Sequence, residues 1–143
     1  NDAPSSITRL QNLGVEPFLV AASLKGVLAQ RLVRRICSQC KQEFAPDAQQ
    51  LKSLGEYAPM CSRLWKGIGC RKCHDTGLSG RLGVYELMVP DEALIDAICA
   101  NSEPAKIREV LKAGGFSTLW DDGVQKVLEG MTTIEEVYGA CRR

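Results

Sequence analysis

An α+β fold is the class this 143-residue sequence predicts, and three observations predict it. Apolar residues recur at three- and four-residue spacing near the start and through the last third, the period of amphipathic helices. Two runs, Val27 to Ile36 and Val84 to Val89, read as strands. Between them, from Cys37 to Gly80, cysteine, glycine, proline and charged residues displace the apolar ones, so an inserted module interrupts the regular elements.

Taken in order, the first element is a short helix with Pro4 in its first turn after Asp2, with Ile7, Leu10 and Leu13 on one stripe, and with a stop at Gly14. A second short helix begins at Pro17 and ends at Gly26. The apolar residues of Val27 to Ile36 fit neither period cleanly and lean towards a strand. A helix from Ala48 to Leu54 follows Pro46-Asp47, and the glycine-rich stretch from Gly67 to Gly83 reads as turns. The strand from Val84 is stopped by Pro90. Four helices then form a terminal bundle. Asp91 caps the first, Ser102 the second, Val124, Val127 and Leu128 mark the third, and Thr132 or Thr133 opens the fourth, with Glu135 and Glu136 in its first turn.

With 45% apolar residues the chain has material for a real core, in one domain or in a compact body with a small extra module. No run approaches the ~18 apolar residues of a membrane span, and no secretory signal opens the chain. Asn1-Asp2-Ala3-Pro4 is a helix entrance without an initiator Met, so the expectation is a chain that begins inside a longer protein. The net charge of +1 argues against a general polyanion binder. Its distribution is uneven, +5 over residues 1 to 90 and −4 over 91 to 143, which either makes two surfaces of opposite sign or an ordinary solvated surface. Seven cysteines cannot all pair within the chain, which fits a reducing cytoplasm better than an oxidising compartment.

The strongest local signal is Cys37-Ser38-Gln39-Cys40 and Cys70-Arg71-Lys72-Cys73, two Cys-x-x-Cys pairs separated by 29 residues. Each pair makes a tight knuckle that points two sulfurs at one centre, and two knuckles supply the four thiolates that Zn²⁺ accepts at ~2.3 Å. A closed four-thiolate site leaves no position for water or substrate, so the expected zinc is structural. Such a site contributes ~10 to 16 kcal/mol of apparent free energy, in a stretch that looks short of core. Arg34, Arg35, Lys41, Arg71 and Lys72 would offset part of the double negative charge of the zinc tetrathiolate. A redox pair and an iron–sulfur cluster also use cysteines at this spacing and stay open on sequence alone. Cys61, Cys99 and Cys141 read as core or surface thiols, and His74, the single histidine, as a solvated loop residue.

Catalytic signatures are scarce. One histidine gives a Ser/His/Asp or Cys/His system almost nothing to work with, and no GxxxxGK[ST] loop exists to cradle a phosphate. Leu87-Met88-Val89-Pro90-Asp91-Glu92 imitates an acidic Mg²⁺-binding strand end, but Pro90 breaks the imitation, and a strand end followed by a helix cap explains it.

Several stretches together resemble the C-terminal region of the type II secretion and type IV pilus assembly ATPases. They are Asn1-Asp2-Ala3-Pro4 with Ile7-Thr8-Arg9-Leu10, Gly14 to Leu19, Gly26 to Arg34, Thr76-Gly77, and Gly80 to Glu86. Ser38 and Leu78 depart from a proline and an aromatic residue frequent in that family, and neither is a ligand. The resemblance implies that residues 1–36, with a returning strand over 81–90, complete a RecA-like ATPase core. It implies a tetracysteine metal module over 37–80 and a helical subdomain over 91–143. The nucleotide loop, the Mg²⁺ carboxylates and the histidine box of the family lie upstream, so ATP and Mg²⁺ belong to the parent protein and this chain alone is expected to be inactive. Family members are hexamers on the cytoplasmic face of the bacterial inner membrane, where they meet a membrane platform and an anchoring protein. A different class of reading keeps the zinc but makes the chain a stand-alone zinc-ribbon nucleic-acid binder, using Arg31, Arg34, Arg35, Arg71 and Lys72. The low net charge and the acidic last third count against it.

Overall fold

The computed structural model describes residues 2–141. Asn1, part of the helix entrance read from sequence, and Arg142 and Arg143, the end of the terminal helical stretch, lie outside them. Among the described residues the elements are α1 (Ala3–Asn12), α2 (Pro17–Ser23), β1 (Val27–Ile36), β2 (Lys41–Phe44), α3 (Ala48–Leu54), β3 (Leu64–Gly67), β4 (Leu78–Met88), α4 (Glu92–Cys99), α5 (Pro104–Ala113), α6 (Leu119–Leu128) and α7 (Ile134–Cys141). Strands β1 and β4 pair in one two-stranded sheet, and β2 and β3 in another. The fold is α+β.

Three helices start where their capping chemistry sits. The carboxylate of Asp2 accepts the Ser5 N–H at 3.0 Å to open α1, and Asp91 accepts the Leu94 N–H at 2.8 Å to open α4. At α3 Asp47 and Gln50 form a reciprocal capping box, with bonds of 2.7 and 3.0 Å. Ser102 does not cap α5. Glu103 stands at that position without a capping side-chain bond, and Pro104 follows at the first helical position. The turn reading of the glycine-rich stretch is corrected at its end, since β4 starts at Leu78 rather than Val84.

The chain divides into two compact units, one made of Asn1–Ala29 with Tyr85–Thr118 and the other of Gln30–Val84 with Leu119–Arg143. The four terminal helices are therefore shared, α4 and α5 in the first unit and α6 and α7 in the second. In the first unit Ile7 of α1, Val20 of α2, Met88 of β4, Leu94 and Ile98 of α4, and Ile107 of α5 build one apolar core. Glu86, buried beside it on β4, accepts the N–H of Ala3, a donor left free at the positive end of α1.

In the second unit Leu54, Cys61 and Leu64 join Val124, Val127, Ile134 and Val137 in a second core. The cysteine-rich stretch is thus less short of apolar support than its sequence suggests, because α6 and α7 supply the missing half. Tyr57 donates to Asp121 at 2.6 Å, a bond that pushes the phenol up to about 12. The Glu136 carboxylate accepts from the Arg34 backbone N–H at 2.9 Å and from its guanidinium at 2.7 and 3.0 Å.

Burial alone would raise the Glu136 pKa. The Arg34 side-chain bonds, its backbone N–H and its charge outweigh that and hold the carboxyl below the usual glutamate range. A depressed carboxyl stabilises the fold above its unfolded pKa, about 4.3, and loses that contribution as pH falls through the lower folded value. Urea midpoints of wild type and Glu136→Gln are expected to differ at pH 7 and to draw together as pH falls below about 4.3.

Candidate metal centre

Cys37 ends the run of β1, Cys40 immediately precedes β2, and Cys70 and Cys73 bracket a 3-10 turn after β3. The β2–β3 hairpin, in the register Lys41↔Gly67 to Phe44↔Leu64, brings the two knuckles side by side. Neither strand was read from the sequence. Ile68 N–H donates to the Cys40 carbonyl at 3.1 Å and Cys37 N–H donates to the Gly77 carbonyl at 2.9 Å, so each side of the first knuckle is bonded to the second stretch.

All four ligand atoms lie within 4.8 Å of one another. The Sγ–Sγ separations are 3.7 Å for Cys37–Cys70, 3.8 Å for Cys40–Cys73 and 3.7 Å for Cys70–Cys73. Four sulfurs placed ~2.3 Å from a common centre form a tetrahedron with edges of ~3.8 Å, so the donor set fits a single tetrahedral ion. Disulfides require sulfurs ~2.05 Å apart, and an iron–sulfur cluster puts several metal atoms between its thiolates and spreads them wider. Cys37, Cys40 and Cys73 are buried and Cys70 is half-buried.

The local electrostatics favour thiolates at some positions and oppose them at others. Burial works against ionising Cys73, but N–H donors from Cys70 at 3.3 Å and Gly77 at 3.2 Å outweigh it and pull its pKa down. Backbone donors, first that of Gln39, likewise lower Cys37. Cys40 is pushed up by burial.

The second knuckle closes through His74 and Asp75 in left-handed backbone, with φ of 53° and 62°. Thr76 Oγ1 donates to the Cys73 carbonyl at 2.6 Å. His74 faces solvent and is not part of the cluster, while Cys61 packs in the apolar core of its unit and Cys99 is exposed. Of the five cations expected to offset the tetrathiolate charge, Arg71 and Lys72 stand exposed inside the second knuckle, whereas Arg34 is held by Glu136. Sequence reasoning missed Gly67 and Gly77, whose backbones touch at the cage. A glycine beside strand residues such as Trp65 and Lys66 was the available signal, since it marks close approach by another backbone.

The chain matches the family described as Type II/IV secretion system protein across residues 1–139. It belongs to that family. Among curated relatives, the type IV pilus assembly ATPase PilB of Thermus thermophilus is 48% identical over 96% of this chain and 16% of its own length. Type II secretion system protein E of Pseudomonas aeruginosa is 42% identical over 99% of this chain and 28% of its own. For the type II secretion system ATPase E of Vibrio cholerae the identity is 39%, over 96% of this chain and 27% of the relative. The chain thus spans 16% to 28% of the length of these relatives. As a type II/IV secretion system protein it has both pilus-assembly and secretion ATPases as relatives at similar identity, and no described helix is long and apolar enough to cross a membrane.

Proposed function

We propose that this chain is the C-terminal, zinc-stabilised and partner-binding part of a bacterial type II secretion or type IV pilus assembly ATPase. The observation that carries the reading is the convergence of Cys37, Cys40, Cys70 and Cys73 on one tetrahedral centre, in a chain whose match to the family runs over residues 1–139. Residues 1–36 and 81–90 complete the RecA-like core of the parent, and the helices from 91 onward form its terminal subdomain. The parent binds ATP and Mg²⁺ through segments with the phosphate loop, a motif this sequence lacks. It works as a hexamer at the cytoplasmic face of the inner membrane, peripheral to it, against a membrane platform and an anchoring protein.

Zn²⁺ supplies a four-way crosslink with no open coordination position, so its role is mechanical. Cys37 and Cys40 fasten the end of β1, while Cys70 and Cys73 fasten the segment entering β4. The long connection between them becomes a rigid projection able to carry load to a neighbour. Protein purified without chelator is expected to hold about one zinc per chain by elemental analysis. The purified chain is expected to hydrolyse no ATP by itself. A metal-free, fully folded protein, or hydrolysis that persists through rigorous purification, overturns the reading.

A further inference from the structure

Gly67 and Gly77 occupy positions where no side chain fits. A methyl group on Gly67 would sit 2.0 Å from the Gly77 carbonyl oxygen and 2.5 Å from its Cα, and one on Gly77 would sit 2.2 Å from the Gly67 oxygen. Carbon atoms in contact stay ~3.5 to 4.0 Å apart. Gly67 is not among the glycines with left-handed φ, so close approach alone accounts for it, while Gly77 has a φ of +74° as well.

The Gly77 peptide serves both knuckles at once. Its N–H donates to the Cys73 sulfur at 3.2 Å, and its carbonyl accepts the Cys37 N–H at 2.9 Å. One residue past Gly67, the Ile68 N–H holds the Cys40 carbonyl at 3.1 Å. Three of the four cysteines, Cys37 and Cys40 by their backbone and Cys73 by its sulfur, are therefore bonded to backbone groups of the pair of segments that meet at the two glycines.

We propose that the Gly67–Gly77 backbone contact is a positioning clamp that holds the two knuckles in ligating geometry before any metal arrives. The proposal rests on reading the four cysteines as a metal site. The β2–β3 ladder, from Lys41↔Gly67 to Phe44↔Leu64, already closes the 29 residues between Cys40 and Cys70, and the clamp adds the docking of the segment after Cys73, through Gly77, onto that ladder. Ligands already in place bind more tightly, because their ordering does not offset the new bonds. Groups that orient metal ligands are worth about 10- to 100-fold in affinity.

The test compares Gly67→Ala, Gly77→Ala and Gly80→Ala. Gly80 has a φ of +82° and its nearest neighbour, Arg35 Cδ, lies 3.9 Å from the added methyl, so it carries backbone strain without the contact. Zinc affinity, read by competition with a chromophoric chelator, is expected to fall about 10- to 100-fold in the first two variants, with one site retained. Gly80→Ala is expected to stay near wild type. Hydrogen exchange on metal-free protein gives an independent readout. The Cys37 and Ile68 amides are expected to be protected in wild type and to exchange at least ~10-fold faster in Gly67→Ala. Unprotected amides in metal-free wild type overturn the clamp without any variant, and so do unchanged affinity and exchange in Gly67→Ala, or an equal loss in Gly80→Ala. A wild type that takes up no zinc, while Gly67→Ala still frees those two amides, removes the metal reading and leaves the clamp standing.

Discussion

Cys73→Ser is expected to lower zinc affinity by roughly 100- to 1000-fold and to loosen the second knuckle while the apolar core of the same unit stays folded. A structural zinc site is worth ~10 to 16 kcal/mol, so one ligand of four represents ~2.5 to 4 kcal/mol. The serine hydroxyl keeps its proton near neutral pH and gives no comparable bond. The substitution also removes the sulfur that accepts the N–H groups of Cys70 and Gly77. The damage stops where apolar burial takes over. Around the cage the buried cluster is the cysteines alone, whereas Leu54, Leu64, Val124, Val127, Ile134 and Val137 pack together without the metal. Hydrogen exchange should therefore rise at Cys70 and Gly77, whose N–H groups donate to the Cys73 sulfur, and not at Cys37 or Ile68, held by backbone carbonyls, nor at Val124 or Val137. Cys61→Ser is the matched control, a buried thiol in that apolar core, and is expected to keep the metal. Equal zinc loss in both serine variants, or none in Cys73→Ser, defeats the assignment of ligands.

The clustering of Cys37, Cys40, Cys70 and Cys73 was legible because spacing alone points to it. Two Cys-x-x-Cys pairs need no knowledge of the intervening chain to be read as one site. The helices were legible for a similar reason, since Asp2, Asp47 and Asp91 are local signals acting within three residues. What stayed hidden is non-local. Strands β2 and β3 are four residues each, too short to show a period, and they exist because Phe44 meets Leu64 and Glu43 meets Trp65, partners 20 and 22 positions apart in the chain. The start of β4 was masked by Gly80 and Gly83, which read as turns in sequence yet lie within a strand. An amphipathic stripe says that a helix has a partner but not which one. Ile107 on α5 and Val124 on α6 carry the same signature and bury in different cores. The apolar residues of the module looked too few for the same reason, as half of their core arrives from α6 and α7.

That shared core has one crossing where two opposing effects can be weighed, α6 against α7. Alanine is the better helix former at an interior position such as Gly123, by about 1 kcal/mol. Here, however, its methyl would lie 2.3 Å from Val137 Cγ1 and 3.2 Å from Cγ2. Val137 is fully buried and β-branched, with a stiff χ1, so it has no flexible end to swing aside. Overpacking costs ~1 to 3 kcal/mol, and an overlap of more than 1 Å belongs near the top of that range. The clash wins, and Gly123→Ala is expected to destabilise the second unit by ~2 kcal/mol. Val137→Ala alone loses two methyl groups and leaves a cavity, also ~2 kcal/mol. In the double variant the new methyl enters the vacated space, and its loss should match that of Val137→Ala rather than the sum, a coupling of ~2 kcal/mol. Urea unfolding of the four proteins measures the cycle. Strict additivity would mean that α6 and α7 do not meet at this glycine, and the packing that completes the cysteine-rich unit would have to be redrawn.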